Sequence, residues 1–188
     1  MTNQEEIIKM VAGQSKTQQT KTEDFVQLVV FSLDNEEHAV EIKDLQEIIK
    51  LPDITPIPGT PEFIRGIFNL RGKIIVVLDL EKRFGLVRQT ENHEGNIIIA
   101  EVNNNNFGII VDKVTEIINV PLSNIQQTPT LSTSKIQTDY LKGVVVLEKK
   151  SKTGDNETSE TDSRLIILLY LPKMLSEKEL MSLGEKIS

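Results

Sequence analysis

The chain has 188 residues, 38% of them apolar, a formal net charge of -7 and no cysteine. Disulfides and thiolate chemistry are therefore excluded, and a spread acidic charge lacks the clustered Lys and Arg that neutralise nucleic-acid phosphates. No apolar run reaches the eighteen residues of a membrane span, and "MTNQEEIIKMVAGQSKTQQTKTED" has no basic head or long apolar stretch of a secretory signal, so the expectation is a cytosolic protein without membrane insertion.

Residues 1–23 read as a polar N-terminal tail, with one short apolar patch at Ile7, Ile8, Met10 and Val11. From residue 24 onward strands and turns alternate, interrupted by the polar stretches 88–96 and 148–163. The second of these, "EKKSKTGDNETSETDS", is rich in Ser, Thr, Gly and mixed charge and reads as a tolerated loop insertion. Along the first half, "IRGIFNL" runs into "RGK" and then into "IIVVLDL", which predicts a hairpin with Arg71 near its tip. "NNNN" at 103–106 predicts a second reversal, because Asn tolerates left-handed backbone. At the C-terminus, over 176–188, Ser176 and Glu179 have capping-box spacing ahead of Leu180 and Leu183, which predicts one short helix.

The chain contains a duplication. "LDNEEHAVEIKDLQEIIKLP" (33–52) aligns with "VNNNNFGIIVDKVTEIINVP" (102–121) without a gap at an offset of 69 residues, with Glu47, Ile48, Ile49 and Pro52 matching Glu116, Ile117, Ile118 and Pro121. "IRGIFNL" (64–70) resembles "LKGVVVL" (141–147), and "IIVVLDLEK" (74–82) resembles "LIILLYLPK" (165–173). Each copy holds four or five short strands, too few to leave flat with open edges, so the expected fold is mostly β: two small five-stranded barrels packed together. The copies are expected at about 24–87, plus a C-terminal segment, and 96–172, with the groove between them as the natural binding place. The short turn of the first copy corresponds to the long loop of the second, which makes Arg71 the better contact candidate.

Enzyme chemistry has little to stand on. His38 and His93 lie in polar segments without spaced partners and read as surface histidines; Asp79 and Asp112 have no neighbours that set up a carboxylate pair; no phosphate-binding glycine loop occurs. The expectation is no catalytic residue, no metal and no cofactor.

"AVEIKDLQEIIKLPDITPIPGTP" and "FIRGIFNLRGKIIVVLDLEKRFG" closely resemble the CheW family of bacterial chemotaxis coupling proteins, over about residues 25–175. The resemblance implies Src-homology-like twin barrels without enzymatic activity, an adaptor between the cytoplasmic tips of methyl-accepting chemoreceptors and the regulatory domain of the histidine kinase CheA. It also implies rings with other family copies, and recruitment to receptor arrays at the inner membrane. By motif position it places receptor contacts at Leu45, Glu47, Gly66, Asn69, Arg71, Ile74 and Ile75, and kinase contacts at Gly108, Val114 and Ile117. Two departures stand out: Val76 where relatives often have proline, and His38-Ala39 where they often have an aromatic followed by glycine.

Overall fold

The structure, a computed structural model, describes residues 24–86, 95–127, 136–148 and 163–187. The N-terminal tail, His93 and nearly all of the 148–163 insertion lie outside them. In chain order the strands are β1 (Phe25–Leu33), β2 (Glu36–Glu41), β3 (Leu45–Lys50), β4 (Ile64–Leu70), β5 (Lys73–Asp79), β6 (Asn96–Val102), β7 (Asn105–Val111), β8 (Lys113–Pro121), β9 (Ile125–Gln126), β10 (Leu141–Glu148) and β11 (Ser163–Leu169). Helix α1 (Leu80–Phe84) follows β5, and α2 (Glu177–Ile187) ends the described chain.

The strands form two sheets, ordered β8-β1-β2-β11-β10-β9 and β3-β6-β7-β5-β4. We refer to them as sheet A and sheet B. The mostly β, two-lobed architecture is as expected, with five long strands in each sheet and the two-residue β9 added to sheet A. The division between the lobes is not. Sheet A takes β1 and β2 from the first copy, and sheet B takes β6 and β7 from the second. The copies thus exchange their first hairpins, and neither 24–87 nor 96–172 is a self-contained lobe. In each sheet the exchanged hairpin joins its host on one side through an antiparallel pair, β1 with β8 and β6 with β3, and on the other through a parallel pair, β2 with β11 and β7 with β5. Replacing every strand by its repeat partner turns one five-strand order into the other.

The duplication extends to local irregularities. The register shifts between Leu45 and Glu47 on β3 and between Val114 and Glu116 on β8 occupy equivalent repeat positions. The shifts between Ile64 and Gly66 and between Leu141 and Gly143 are likewise equivalent. Such bulges add local twist and help a sheet to roll.

Alternation explains the apolar runs. On β6, Ile97 and Ile99 point into sheet B's own interior with Phe68, Ile75 and Val77, whereas Ile98 and Ala100 point into the core between the sheets. On β1, Leu28 and Val30 fill sheet A's interior, and Val29 and Phe31 face the inter-sheet core. Both faces of these strands are dry, so neither needs polar residues. The inter-sheet core, with Phe31, Leu78, Phe107, Leu169 and Met174 among its members, is the largest apolar cluster. The expected groove between the lobes is therefore mostly filled. An opening of about 650 Å³ remains between the β6–β7 turn and the start of α2, lined among others by Asn103, Phe107, Tyr170 and Leu180.

Helix α2 is capped as its spacing predicts. Ser176 N–H donates to Glu179 Oε2 at 2.8 Å, and Glu179 N–H donates to Ser176 Oγ at 3.3 Å. The same carboxylate receives Arg83 of α1 at 2.7 and 3.2 Å. The Arg83 guanidinium lies 4.0 Å above the Phe63 ring and 5.3 Å from that of Tyr140. Burial pushes Glu179 up, but the hydrogen bonds from Arg83 and Ser176 outweigh it and hold the carboxyl below its ordinary range.

His38 is not a surface histidine. It is fully buried on β2, with its ring stacked 6.0 Å from that of Phe31 and Nδ1 3.2 Å from the Glu36 carbonyl. Burial lowers its pKa to about 4, against a smaller upward effect of that carbonyl.

Candidate functional site: two matched faces

The β4–β5 connection is a two-residue reversal. Leu70 pairs with Lys73, and both residues between them have positive φ, 51° at Arg71 and 86° at Gly72, which defines a type I′ turn. Asn69 Oδ1 accepts the Gly72 N–H at 2.8 Å. From this tip Arg71 Nη2 donates to Glu47 Oε2 at 3.0 Å.

That contact has a geometric consequence. β3 and β4 are the two ends of sheet B, and four strand spacings would separate them by roughly 19 Å if the sheet were flat. An ion pair from the β4–β5 tip to β3 requires the sheet to roll until its ends approach. Sheet A has the same clasp. Arg164, near the start of β11, reaches Glu116 on β8 at 2.6 Å and Glu37 on β2 at 2.5 Å. Glu116 is the repeat partner of Glu47, and Arg164 stands where the first copy has Lys73.

Each clasp is flanked in sequence by exposed aliphatics: Ile48 follows Glu47 and Ile74 lies three residues beyond Arg71, while Ile117 follows Glu116 and Leu165 follows Arg164. Ile48 and Ile74 of sheet B are 39% and 49% exposed, and their repeat counterparts Ile117 and Leu165 of sheet A are 56% and 48% exposed. Exposed large aliphatics at matched positions of both copies are not scattered surface residues, which need no explanation. They mark two equivalent faces.

The electrostatics of the two faces differ. The Arg71 side chain is 78% exposed and meets one carboxylate, so most of its five N–H donors remain open to a partner. Arg164 is 25% exposed and is shared by two carboxylates. Its pKa is raised, first by the hydrogen bond to the Glu37 carboxylate; burial opposes the rise, and the Glu116 carboxylate adds to it. One face presents an available cation, and the other an apolar surface with its cation consumed.

The residues expected from the resemblance separate accordingly. Asn69, Arg71 and Ile74 are exposed, Glu47 is partly so, and Leu45 is half-buried against the inter-sheet core. Gly66 and Ile75 are buried and present nothing to a partner. Gly66 has φ 143°, and a Cβ there would lie 2.2 Å from the Thr55 carbonyl oxygen. Ile75 belongs to the interior of sheet B. On the second copy Ile117 is exposed and Val114 half-buried. Gly108 is core: a Cβ on it would meet Ile97 at 2.8 Å. Ile48 and Leu165 were missed, although the duplication that paired Ile48 with Ile117 also pairs Ile74 with Leu165.

Among the described residues no group of His, Asp and Glu side chains is placed to hold a metal ion, and no helix is long and apolar enough to cross a membrane. Two rolled sheets with exchanged hairpins and matched aliphatic faces define a twin-lobed β scaffold. The CheW-like domain model matches residues 27–179, and the chain belongs to that family. It is 34% identical over 162 residues to the chemotaxis protein CheW of Treponema pallidum, covering 84% of this chain and 86% of that one. It is 29% identical over 154 residues to the chemotaxis protein CheW of Klebsiella aerogenes, covering 82% and 84%. The crystal structure of the scaffolding protein TtCheW from Thermoanaerobacter tengcongensis superposes with a TM-score of 0.67 at 34% identity, over 87% of this chain and 96% of that one.

Proposed function

We propose that the chain is a non-enzymatic adaptor that couples chemoreceptor tips to the histidine kinase CheA, using the face of sheet B for the receptor and the face of sheet A for the kinase. The observation that carries this reading is the pair of matched aliphatic faces with unequal charge saturation. A receptor tip is a helical hairpin, whose exposed ridge suits an apolar strip with one cation at its rim. Ile48 and Ile74 supply the strip, Arg71 the orienting charge, and Glu47, Asn69 and Leu45 its surroundings. The kinase's regulatory domain resembles this fold, and a barrel-to-barrel contact suits the saturated face around Ile117 and Leu165, with Val114 at its rim. Gly66, Ile75 and Gly108 shape the lobes beneath those faces.

In this reading the protein works in the cytoplasm, held at the inner membrane by receptors, and can join other copies through the same faces. The test is equilibrium binding to a receptor cytoplasmic fragment and, separately, to the kinase regulatory domain. Arg71→Ala is expected to weaken receptor binding at least tenfold and to leave kinase binding within twofold. Equal loss of both would overturn the assignment of faces.

A further inference from the structure

Among the described residues three two-residue reversals join strands: Asp34-Asn35, Arg71-Gly72 and Asn103-Asn104. All six residues have positive φ. In two of the turns both positions hold Asp or Asn, whose short polar side chains tolerate left-handed backbone. The third places arginine at its first position. Among the described residues Arg71 is the one with positive φ that is neither Gly, Asn nor Asp. Two local features hold it there. Gly72 takes φ 86° freely, and Asn69 Oδ1 accepts the Gly72 N–H at 2.8 Å, closing the reversal from its preceding strand. The Asn69 side chain is otherwise exposed, and its residue stands directly across from Ile74 in the β4–β5 register.

We propose that Asn69 is a positioning residue: by accepting the Gly72 N–H it locks the type I′ reversal that keeps Arg71 in left-handed backbone and aims its guanidinium across the rolled sheet beside Glu47. The strain at Arg71 is retained because an asparagine there, although better suited to the turn, is too short to reach the rim of the face. A backbone outlier held by its surroundings at a contact surface is where stability gives way to function. This inference rests on the receptor-face reading above, and its test separates the two.

The experiment compares four variants by receptor-fragment binding, thermal melting and amide hydrogen exchange at Gly72. Arg71→Asn is expected to raise the melting temperature by about 2 °C while receptor binding falls at least tenfold. Asn69→Ala is expected to lose Gly72 amide protection and to weaken receptor binding about fivefold, with kinase binding unchanged. Asn69→Asp keeps the acceptor, so it is expected to restore both the protection and most of the affinity. Arg71→Ala is the reference. If Arg71→Ala leaves receptor binding intact, the receptor-face reading fails, and the exchange and melting data alone decide whether Asn69 locks the turn. If Arg71→Ala weakens binding while Asn69→Ala does not, or if Arg71→Asn melts no higher than the parent, the positioning role is overturned and the receptor-face reading stands.

Discussion

Gly66→Ala is expected to be among the most destabilising single methyl additions in this protein. The residue sits in β4 at a register shift with φ 143°, and an added Cβ would lie 2.2 Å from the Thr55 carbonyl oxygen and 2.8 Å from Ile54 Cγ2. That oxygen is already in use. It accepts the Ile67 N–H at 2.9 Å, while Thr55 N–H donates to the Ile67 carbonyl at 2.8 Å. Relief requires the 54–55 segment to retreat, which loses both bonds at about 1 kcal/mol each. The left-handed backbone adds about 1–3 kcal/mol for a residue with a side chain. The sum is about 4 kcal/mol, or a fall in melting temperature of about 12 °C at the 2–4 °C per kcal/mol typical of chains this size. Gly72→Ala is the control: it shares positive φ, at 86°, but nothing lies within 4 Å of its Cβ, so only about 1 kcal/mol of backbone strain is expected. Chemical denaturation followed by circular dichroism measures both. If Gly66→Ala costs no more than Gly72→Ala, the close approach of Thr55 is not what fixes the glycine.

His38 sets the acid limb of stability. Its folded pKa of about 4 lies below the ordinary 6.5, so the unfolded chain binds more protons between those values. Its contribution is intact above pH 6.5, and about 3 kcal/mol is lost as pH falls to 4; His38→Phe is expected to flatten that part of a stability-versus-pH curve. Arg83→Ala should cost about 3 kcal/mol in denaturant titrations, because it strips a largely buried cation from Glu179 and the faces of Phe63 and Tyr140. Arg83→Lys should recover less than half, since the bidentate fork and stacking are lost. Ile117→Asp, at a side chain 56% exposed, should leave melting within 2 °C but weaken kinase binding at least tenfold by calorimetry, with receptor binding unchanged.

Much of this arrangement is legible in the sequence because duplication repeats physical requirements. The 69-residue offset carries Asp34-Asn35 onto Asn103-Asn104, two reversals with positive φ at both positions, and Glu47 onto Glu116, the two clasp acceptors. The exchange of hairpins is not legible: both copies have the same apolar pattern, so β1–β2 satisfies either host sheet equally at the level of alternation. His38 misleads because its neighbours Glu36, Glu37 and Glu41 make the segment look wet, while strand geometry turns the ring inward against Phe31. Helix α1, five residues between the Asp79 cap and Gly85, is too short for a helical period to appear. Gly108 and Gly66 sit at motif positions for a reason other than contact, since side chains there would strike Ile97 and Thr55. Val76 lies on β5, paired on both sides with Ile67 and Phe107, so the N–H that proline would remove belongs to an interior strand.

The coupling role itself is tested most directly by sedimenting receptor-bearing membranes with the kinase, with and without this protein, and counting the kinase in the pellet. The account predicts that kinase pellets with the membranes only when the protein is present. It also predicts that Arg71→Ala leaves protein and kinase together in the supernatant, whereas Ile117→Asp pellets with the membranes alone. Kinase recovery that is independent of the protein, or the same distribution for both variants, would contradict it.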